Sequence, residues 1–203
     1  MKRVAIIDYG VGNIYSIQKL LEYLDISWVY SSDEAEILRC RGIILPGVGA
    51  YKDASEAVFR RKLDSTIRMF AASGKPVLGI CLGMQLLFEG SCEGGEYKGL
   101  GLVRGMVKRL PSTVKVPHTG WNSIEGFSES GLLKGISVQQ YVYYTHSYYA
   151  EGVPEENVTA TTDYGVRIPA VICKENIYGA QFHPEKSGEV GKKMIMNFKE
   201  MLI

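Results

Sequence analysis

Pro76-Val77-Leu78-Gly79-Ile80-Cys81-Leu82-Gly83 decides how this chain is read. A short apolar run leads into Gly-x-Cys-x-Gly, and Met84, Leu86, Leu87 and Phe88 then follow as the opening of a helix. This is the form of a nucleophile elbow, with Cys where serine hydrolases carry Ser. The elbow needs small residues two before and two after the nucleophile, which sits on a strained turn packed tightly against its neighbours. A thiol at a helix start also meets the positive end of the backbone dipole, which favours the thiolate. The alternative reading of the same residues is a buried structural cysteine between turn glycines.

The same alternation of strand and helix extends outward. Val4 to Ile7 is an apolar run that ends at Asp8 and the turn-rich Gly10-Val11-Gly12-Asn13. Ile14, Ile17, Leu20, Leu21 and Leu24 recur at helical spacing, Trp28-Val29-Tyr30 forms a second strand, and Ile43-Ile44-Leu45 a third, closed by Pro46. Asp53 is placed to cap one long helix whose inward face uses Ala57, Val58, Ile67 and Phe70. Continuous apolar strands with helical crossovers predict a parallel sheet covered on both faces, with ligands at the carboxyl ends of its strands. Gly10 and Gly12, Gly47 and Gly49, and Gly79 and Gly83 all fall at such ends. The second half changes rhythm: Val103 to Leu110, Tyr141 to Ala150, Val158 to Thr161, Pro169 to Lys174 and Ile177 to Phe182 read as strands between Gly and Pro turns. A last helix starts near Ser187 and buries Val190, Met194, Ile195, Phe198 and Leu202. The expectation is one α/β domain, a central mostly parallel sheet flanked by helices, with an added antiparallel section in the second half.

Composition narrows the function. The 203 residues carry 23 Lys plus Arg against 22 Asp plus Glu, a net charge of +1, without the basic excess that nucleic acid or an acidic membrane surface demands. Cys40, Cys81, Cys92 and Cys173 form no Cys-x-x-Cys pair, so neither a zinc ribbon nor a dithiol redox site is written here. The apolar run near the start spans four residues, too short for a secretion signal, and no stretch approaches the roughly 20 apolar residues of a membrane span. A cytoplasmic protein with small-molecule or protein partners is expected, its thiols reduced.

A thiol nucleophile needs a base, and the chain has three histidines. His183 ends the strand Ile177 to Phe182 in Gln181-Phe182-His183-Pro184-Glu185. Glu185, two residues on, can hold the second ring nitrogen and fix the tautomer, as the third member of a triad does. His118 lies in a turn-like segment, Pro117-His118-Thr119-Gly120-Trp121-Asn122, with no acid paired to it. His146 alternates with Val142, Tyr144 and Tyr148, the pattern of a packed, hydrogen-bonded histidine. No Asp or Glu stands at ligand spacing beside either, so no metal site is assigned. Gly10-Val11-Gly12 lacks the third glycine of a dinucleotide fingerprint, and Gly188-Glu189-Val190-Gly191-Lys192-Lys193 lacks the spacing and hydroxyl of a phosphate loop. No cofactor is expected.

Pro46-Gly47-Val48-Gly49, Gly79 to Gln85 and Gln181 to Glu185 together resemble the class I, triad-type glutamine amidotransferases. Within that class, Asp8 to Asn13, Pro117 to Asn122 and Tyr144-Thr145-His146-Ser147-Tyr148 are similar to the glutaminase subunits of imidazole glycerol phosphate synthase. The resemblance spans nearly the whole chain in order, and implies one amidotransferase domain over residues 1–203. It implies that Cys81 attacks the side-chain amide of glutamine, that His183 moves the proton and that Glu185 orients it. The elbow offers the Leu82 N–H to the oxyanion, and the resemblance puts the second donor on Val48–Gly49. Glycines on both sides of Val48 let its peptide plane rotate at low cost.

By the same resemblance Gln85, Glu93, Ser147 and Tyr148 hold the substrate's amino-acid end, with Glu89 and Glu96 as rivals of Glu93. Asn13, Trp121 and Tyr143 face the partner, a (β/α)8-barrel cyclase that takes the ammonia to make imidazole glycerol phosphate and an aminoimidazole carboxamide ribotide in histidine synthesis. Tyr141, Tyr143, Thr145, Ser147 and Tyr149 are read as one strand face. Three alternatives stay open: a silent partner-binding module, a peptidase- or deglycase-like relative, and a paralogue feeding another synthase, such as one aminating a surface sugar.

Overall fold

A computed structural model describes residues 3–10, 14–126 and 130–202. The first half runs β1 (Arg3–Ile7), α1 (Tyr15–Tyr23), β2 (Ser27–Ser31), α2 (Glu34–Arg39), β3 (Gly42–Leu45), α3 (Tyr51–Arg60), α4 (Leu63–Ala72), β4 (Val77–Ile80) and α5 (Leu82–Leu86). The second adds β5 (Gly90–Ser91), β6 (Tyr97–Lys98), β7 (Met106–Arg109), β8 (His118–Ser123), β9 (Tyr141–His146), β10 (Tyr148–Glu151), β11 (Val158–Asp163), β12 (Arg167–Lys174), β13 (Ile177–Ala180) and α6 (Gly188–Glu200). Among the described residues, seven strands form the main sheet in the order β11-β12-β13-β4-β3-β1-β2. From β2 through β13 neighbours are parallel, and β12 and β11 extend that edge antiparallel.

Both faces of this sheet are buried, as continuous apolar strands require. Ala5, Ile7, Ile43, Leu45 and Val77 pack against Ile37 of α2, Ala57 and Val58 of α3, and Ile67 and Phe70 of α4. Their neighbours Val4, Ile6, Ile44, Leu78 and Ile80 point the other way, onto Ile17 and Leu21 of α1, Ile195 and Phe198 of α6, and Val142 and Tyr144 of β9. The period-2 alternation of the strands therefore feeds two cores. The sheet's carboxyl ends bring the loops after β3, β4 and β13 side by side.

Several sequence expectations need correction. The single helix after Asp53 is two helices, because Lys62 takes a left-handed conformation (φ 57°) between α3 and α4. Asp53 lies inside the first turn of α3, where its charge meets the helix dipole, rather than capping it. The strand read from Val103 to Leu110 is confined to Met106–Arg109, and Val190 is half-buried. The turn-like segment at His118 is a strand, paired residue for residue with β9 from His118↔His146 to Ser123↔Tyr141. The strand read from Tyr141 to Ala150 breaks at Ser147: β9 belongs to the ribbon with β8, and β10 joins β7 in a four-stranded sheet, β10-β7-β5-β6. Tyr149 consequently leaves the face of Tyr141 and Tyr143 and is buried in the second sheet. No element is expected from the sequence pattern at α2, β5 or β6, although Asp33 and Glu36 stand at capping-box spacing and Asp33 accepts the Glu36 N–H at 2.7 Å.

Candidate active site

Cys81 sits between β4 and α5 with φ 51° and ψ −108°, a conformation that an L residue holds only when its surroundings impose it. Those surroundings are visible. The Cys81 N–H donates to the Ala180 carbonyl of β13 at 2.7 Å. A Cβ on Gly79 would lie 2.6 Å from backbone atoms of Gly83 and Met84, and one on Gly83 only 1.9 Å from the Leu45 carbonyl oxygen. Neither glycine has a positive φ, so both are required for space and not for conformational freedom. Because α5 is five residues long, its dipole is small.

The principal neighbour is His183. Three hydrogen bonds fix its backbone: its N–H donates to the Tyr143 carbonyl (2.9 Å), and its carbonyl accepts from the Ser187 hydroxyl (2.6 Å) and the Lys186 N–H (3.0 Å); the Tyr143 N–H in turn donates to the Ser187 hydroxyl (3.0 Å). Nδ1 of His183 lies 2.8 Å from Glu185 Oε1, with both side chains almost wholly buried. Nε2 makes no hydrogen bond of normal geometry, yet Cys81 is close enough to act on the ring. Burial pulls the imidazole's pKa down. Hydrogen bonding and charge from Cys81 and Glu185 more than reverse this, leaving it well above the ordinary histidine value. The arrangement suits a thiol nucleophile beside an imidazole whose far nitrogen is held by a carboxylate.

A cavity of about 290 Å³ opens over Cys81, at the small end of the range for ligand pockets. Val48, Gly49, Leu82, Gln85, Glu93, Ser147 and Tyr148 line it with Cys81, so the structure brings the sequence-selected residues together. His183 and Glu185 are buried and do not line it. Gly49 has φ +118°, and Gly47 has no room for a Cβ, which would meet the Tyr9 hydroxyl and Leu82. Tyr9 is buried under this loop and its hydroxyl donates to the Pro46 carbonyl. Burial first, then Cys81, raises the pKa of that hydroxyl, which keeps it a donor. The two glycines around Val48 thus differ: one admits a close approach, the other an unusual backbone angle.

Of the three candidate glutamates only Glu93 lines the cavity; it accepts the Tyr51 N–H at 3.0 Å and so anchors the start of α3. Glu89 instead accepts the Gly105 N–H. Gln85 donates its amide to the Tyr148 carbonyl (2.8 Å) and to Gln181 Oε1 (3.2 Å). Pro117, Thr145 and His146 also line the cavity, and Gln181 points its amide at Cys81 Sγ (3.8 Å), although sequence reasoning assigns none of the four to the site. The signal for Gln181 is its place two residues before His183, directly after β13, the strand paired with β4.

Trp121 and Tyr143 are cross-strand partners on the outer face of β8–β9, with ring centroids 6.0 Å apart. Trp121 is 57% exposed. Lys186 Nζ stands 5.6 Å over the Tyr143 ring. Asn13 lies outside the described residues. No helix among the described residues is long and apolar enough to cross a membrane.

Comparison with known proteins places this geometry in context. A family model described as "Glutamine amidotransferase class-I" matches residues 5–201. The chain is 48% identical over 199 residues to "Imidazole glycerol phosphate synthase subunit HisH" of Caldanaerobacter subterraneus subsp. tengcongensis, covering 98% of both chains. It is 47% identical over 196 residues to the protein of the same name from Bacillus cereus, covering 97% of this chain and 93% of that one. Among solved structures, PurLQS from Thermotoga maritima superposes with a TM-score of 0.79 at 24% identity over 100% of both chains. A glutamine amidotransferase, also from Thermotoga maritima, gives 0.67 at 19% identity, over 98% of this chain and 82% of that one.

Proposed function

The chain belongs to the class I glutamine amidotransferases, and within them to the HisH subunits of imidazole glycerol phosphate synthase, and from that premise we propose how its own residues work. Cys81 attacks the side-chain amide carbon of glutamine as His183 holds its proton. The tetrahedral intermediate collapses with His183 protonating the departing amino group, which leaves as ammonia, and a thioester remains on Sγ. Water, deprotonated by the same imidazole, then releases glutamate. Glu185 keeps Nδ1 protonated, so Nε2 is the nitrogen that exchanges protons throughout. The Leu82 N–H and the Val48–Gly49 segment serve the oxyanion, where one donor is worth about 3 kcal/mol.

The observation that carries this reading is the convergence of a strained Cys81, a buried His183–Glu185 pair and a small polar cavity on one sheet rim. Gln85, Glu93, Ser147 and Tyr148 form the wall for the substrate's amino-acid end. The ammonia goes to a cyclase barrel docked against the exposed Trp121–Tyr143 face, with Asn13 as a further contact, and the complex works in the cytoplasm on histidine synthesis. Full-length identity to HisH supports this partner over another synthase. No metal or cofactor is needed for these steps.

The decisive test is Cys81→Ala in the complex. Glutamine-dependent turnover should fall by at least about 1,000-fold, while turnover with added ammonium salts persists, because the thiol only makes ammonia. Loss of both would mean that Cys81 is structural or that the partner is wrong.

A further inference from the structure

Beside the triad lies a pair of buried imidazoles that this chemistry does not use. His118 and His146 face each other across β8–β9, with His118 Nδ1 and His146 Nε2 3.1 Å apart. His118 is sandwiched between two aromatic rings, Tyr164 at 3.8 Å and Tyr144 at 4.6 Å, each within 18° of parallel. Tyr164 is fixed by donating to the Lys115 carbonyl (2.8 Å). Tyr144 is fixed by its contact with the Thr162 hydroxyl, 2.5 Å away.

The partners dictate where the protons sit. His146 Nδ1 lies 2.9 Å from the Tyr148 carbonyl, which can only accept, so Nδ1 carries the hydrogen. A neutral ring then leaves Nε2 of His146 as an acceptor, and His118 Nδ1–H must donate to it. Nε2 of His118 becomes an acceptor in turn, and the Asn122 amide, 3.4 Å away, supplies a donor; the same amide donates to the Asp163 carbonyl at 3.1 Å. Every hydrogen bond runs one way, from Asn122 through His118 and His146 to Tyr148. Charging His146 would set two donors against each other at the 3.1 Å contact, and charging His118 would set its Nε2–H against the Asn122 amide at 3.4 Å. Burial acts in the same sense, pulling His118 to about 4 and His146 to about 3.

The relay ends at the cavity. The Tyr148 carbonyl also accepts the Gln85 amide, and Ser147 is the single residue between β9 and β10. We propose that His118 and His146 are positioning residues, a one-way relay of two neutral imidazoles that holds the Ser147–Tyr148 wall in register for glutamine. This role rests on the glutaminase reading of the cavity. It assigns the pair to substrate affinity and not to proton transfer, since neither ring has a proton to give without breaking the relay.

Two measurements on the full chain test it. ¹⁵N-imidazole spectra, with the His183 signals identified by His183→Asn, should show the two remaining histidines, His118 and His146, neutral with the proton on Nδ1 from about pH 5 to 8. A charged ring, or an Nε2–H tautomer at either residue, overturns the relay, and this needs no variant of the pair to fold. The second measurement is the glutamine concentration that half-protects Cys81 from iodoacetamide, read at Cys81 by mass spectrometry. His146→Leu should raise it about 5- to 10-fold, the value of one lost hydrogen bond. His146→Asn, whose amide can occupy the place of Nδ1–H, should stay within about 2-fold of the parent. Equal protection of the parent and the Leu variant overturns the positioning role alone, as does an Asn variant as impaired as Leu. Failure of glutamine to protect the unaltered chain overturns the reading of the cavity, and the positioning role with it.

Discussion

At His183 the imidazole has a carboxylate 2.8 Å from one nitrogen and the Cys81 thiol facing the other. At His146, on a neighbouring strand, one nitrogen meets a backbone carbonyl and the other a second imidazole. Both rings are nearly inaccessible to water. Burial depresses the basicity of each, yet His183 ends above the ordinary histidine value and the His118–His146 pair below it. The difference teaches that partner chemistry, not depth, sets protonation here: an anion can outweigh desolvation, whereas a carbonyl and a neutral ring cannot. One region is built to exchange a proton and the other to refuse it.

The comparison can be broken at its anion. Glu185→Gln keeps a side chain of the same size beside Nδ1 but removes the charge. Turnover number with glutamine should fall about 1,000-fold, with KM little changed, as happens when a triad loses its orienting carboxylate. The pH profile of Cys81 alkylation should shift as His183 becomes less basic. An enzyme of undiminished kcat would remove Glu185 from the mechanism.

A smaller effect separates the two faces of β9. Tyr143 projects outward, while Tyr144 and His146 project inward. Tyr143→Ala should weaken association with the cyclase partner about 30-fold, the scale of an aromatic anchor of about 2 kcal/mol, while the isolated chain melts as before. A lowered melting temperature without weaker binding would reassign the ring to internal packing.

The smallest effect lies in acid. A lowered folded-state pKa means that the unfolded chain binds more protons, so the pair's stability is fully present above about pH 6.5 and is lost as pH falls toward 4 and 3. His183 has the opposite sign: its contribution is complete below about pH 6.5 and fades as pH rises through its elevated value. At pH 5 the linkage cost is about 2 kcal/mol for each ring, because that pH lies well below the unfolded value and above both lowered ones. His118→Phe preserves the stack between Tyr144 and Tyr164, and should flatten the fall of melting temperature between pH 7 and 5 by a few degrees. An unaltered acid limb would show that His118 already titrates as a solvent-exposed ring.

The legible part of the molecule is where function is local in sequence. Gly79 to Gly83 and His183 to Glu185 declare their chemistry within five residues, and the crossover strands around them declare a parallel sheet. The illegible part depends on pairing. Gly120 and the proline at 117 made β8 look like a turn, and only its register with β9 shows that His118 meets His146. Alternation continues through Ser147, so nothing in the pattern announces that β10 leaves for another sheet. Glu93 could not be told from Glu89 and Glu96, because its distinguishing feature is the start of α3, more than forty residues away in sequence. The break at Lys62 was equally hidden, since a lysine carries no signal for a left-handed turn.

The missing room at Gly83 has a consequence for how the protein can vary. Every other genetically encoded residue brings a Cβ, and at this position that atom would fall 1.9 Å from the main chain of β3. Leu45 cannot yield without moving the middle of the sheet. A library randomised at this codon and selected only for soluble, folded product, with no demand for catalysis, should therefore return glycine. The information that keeps the nucleophile on its turn is stored redundantly, once in selection for chemistry and once in selection for folding, so this part of the site would be preserved even in a lineage that had ceased to use it.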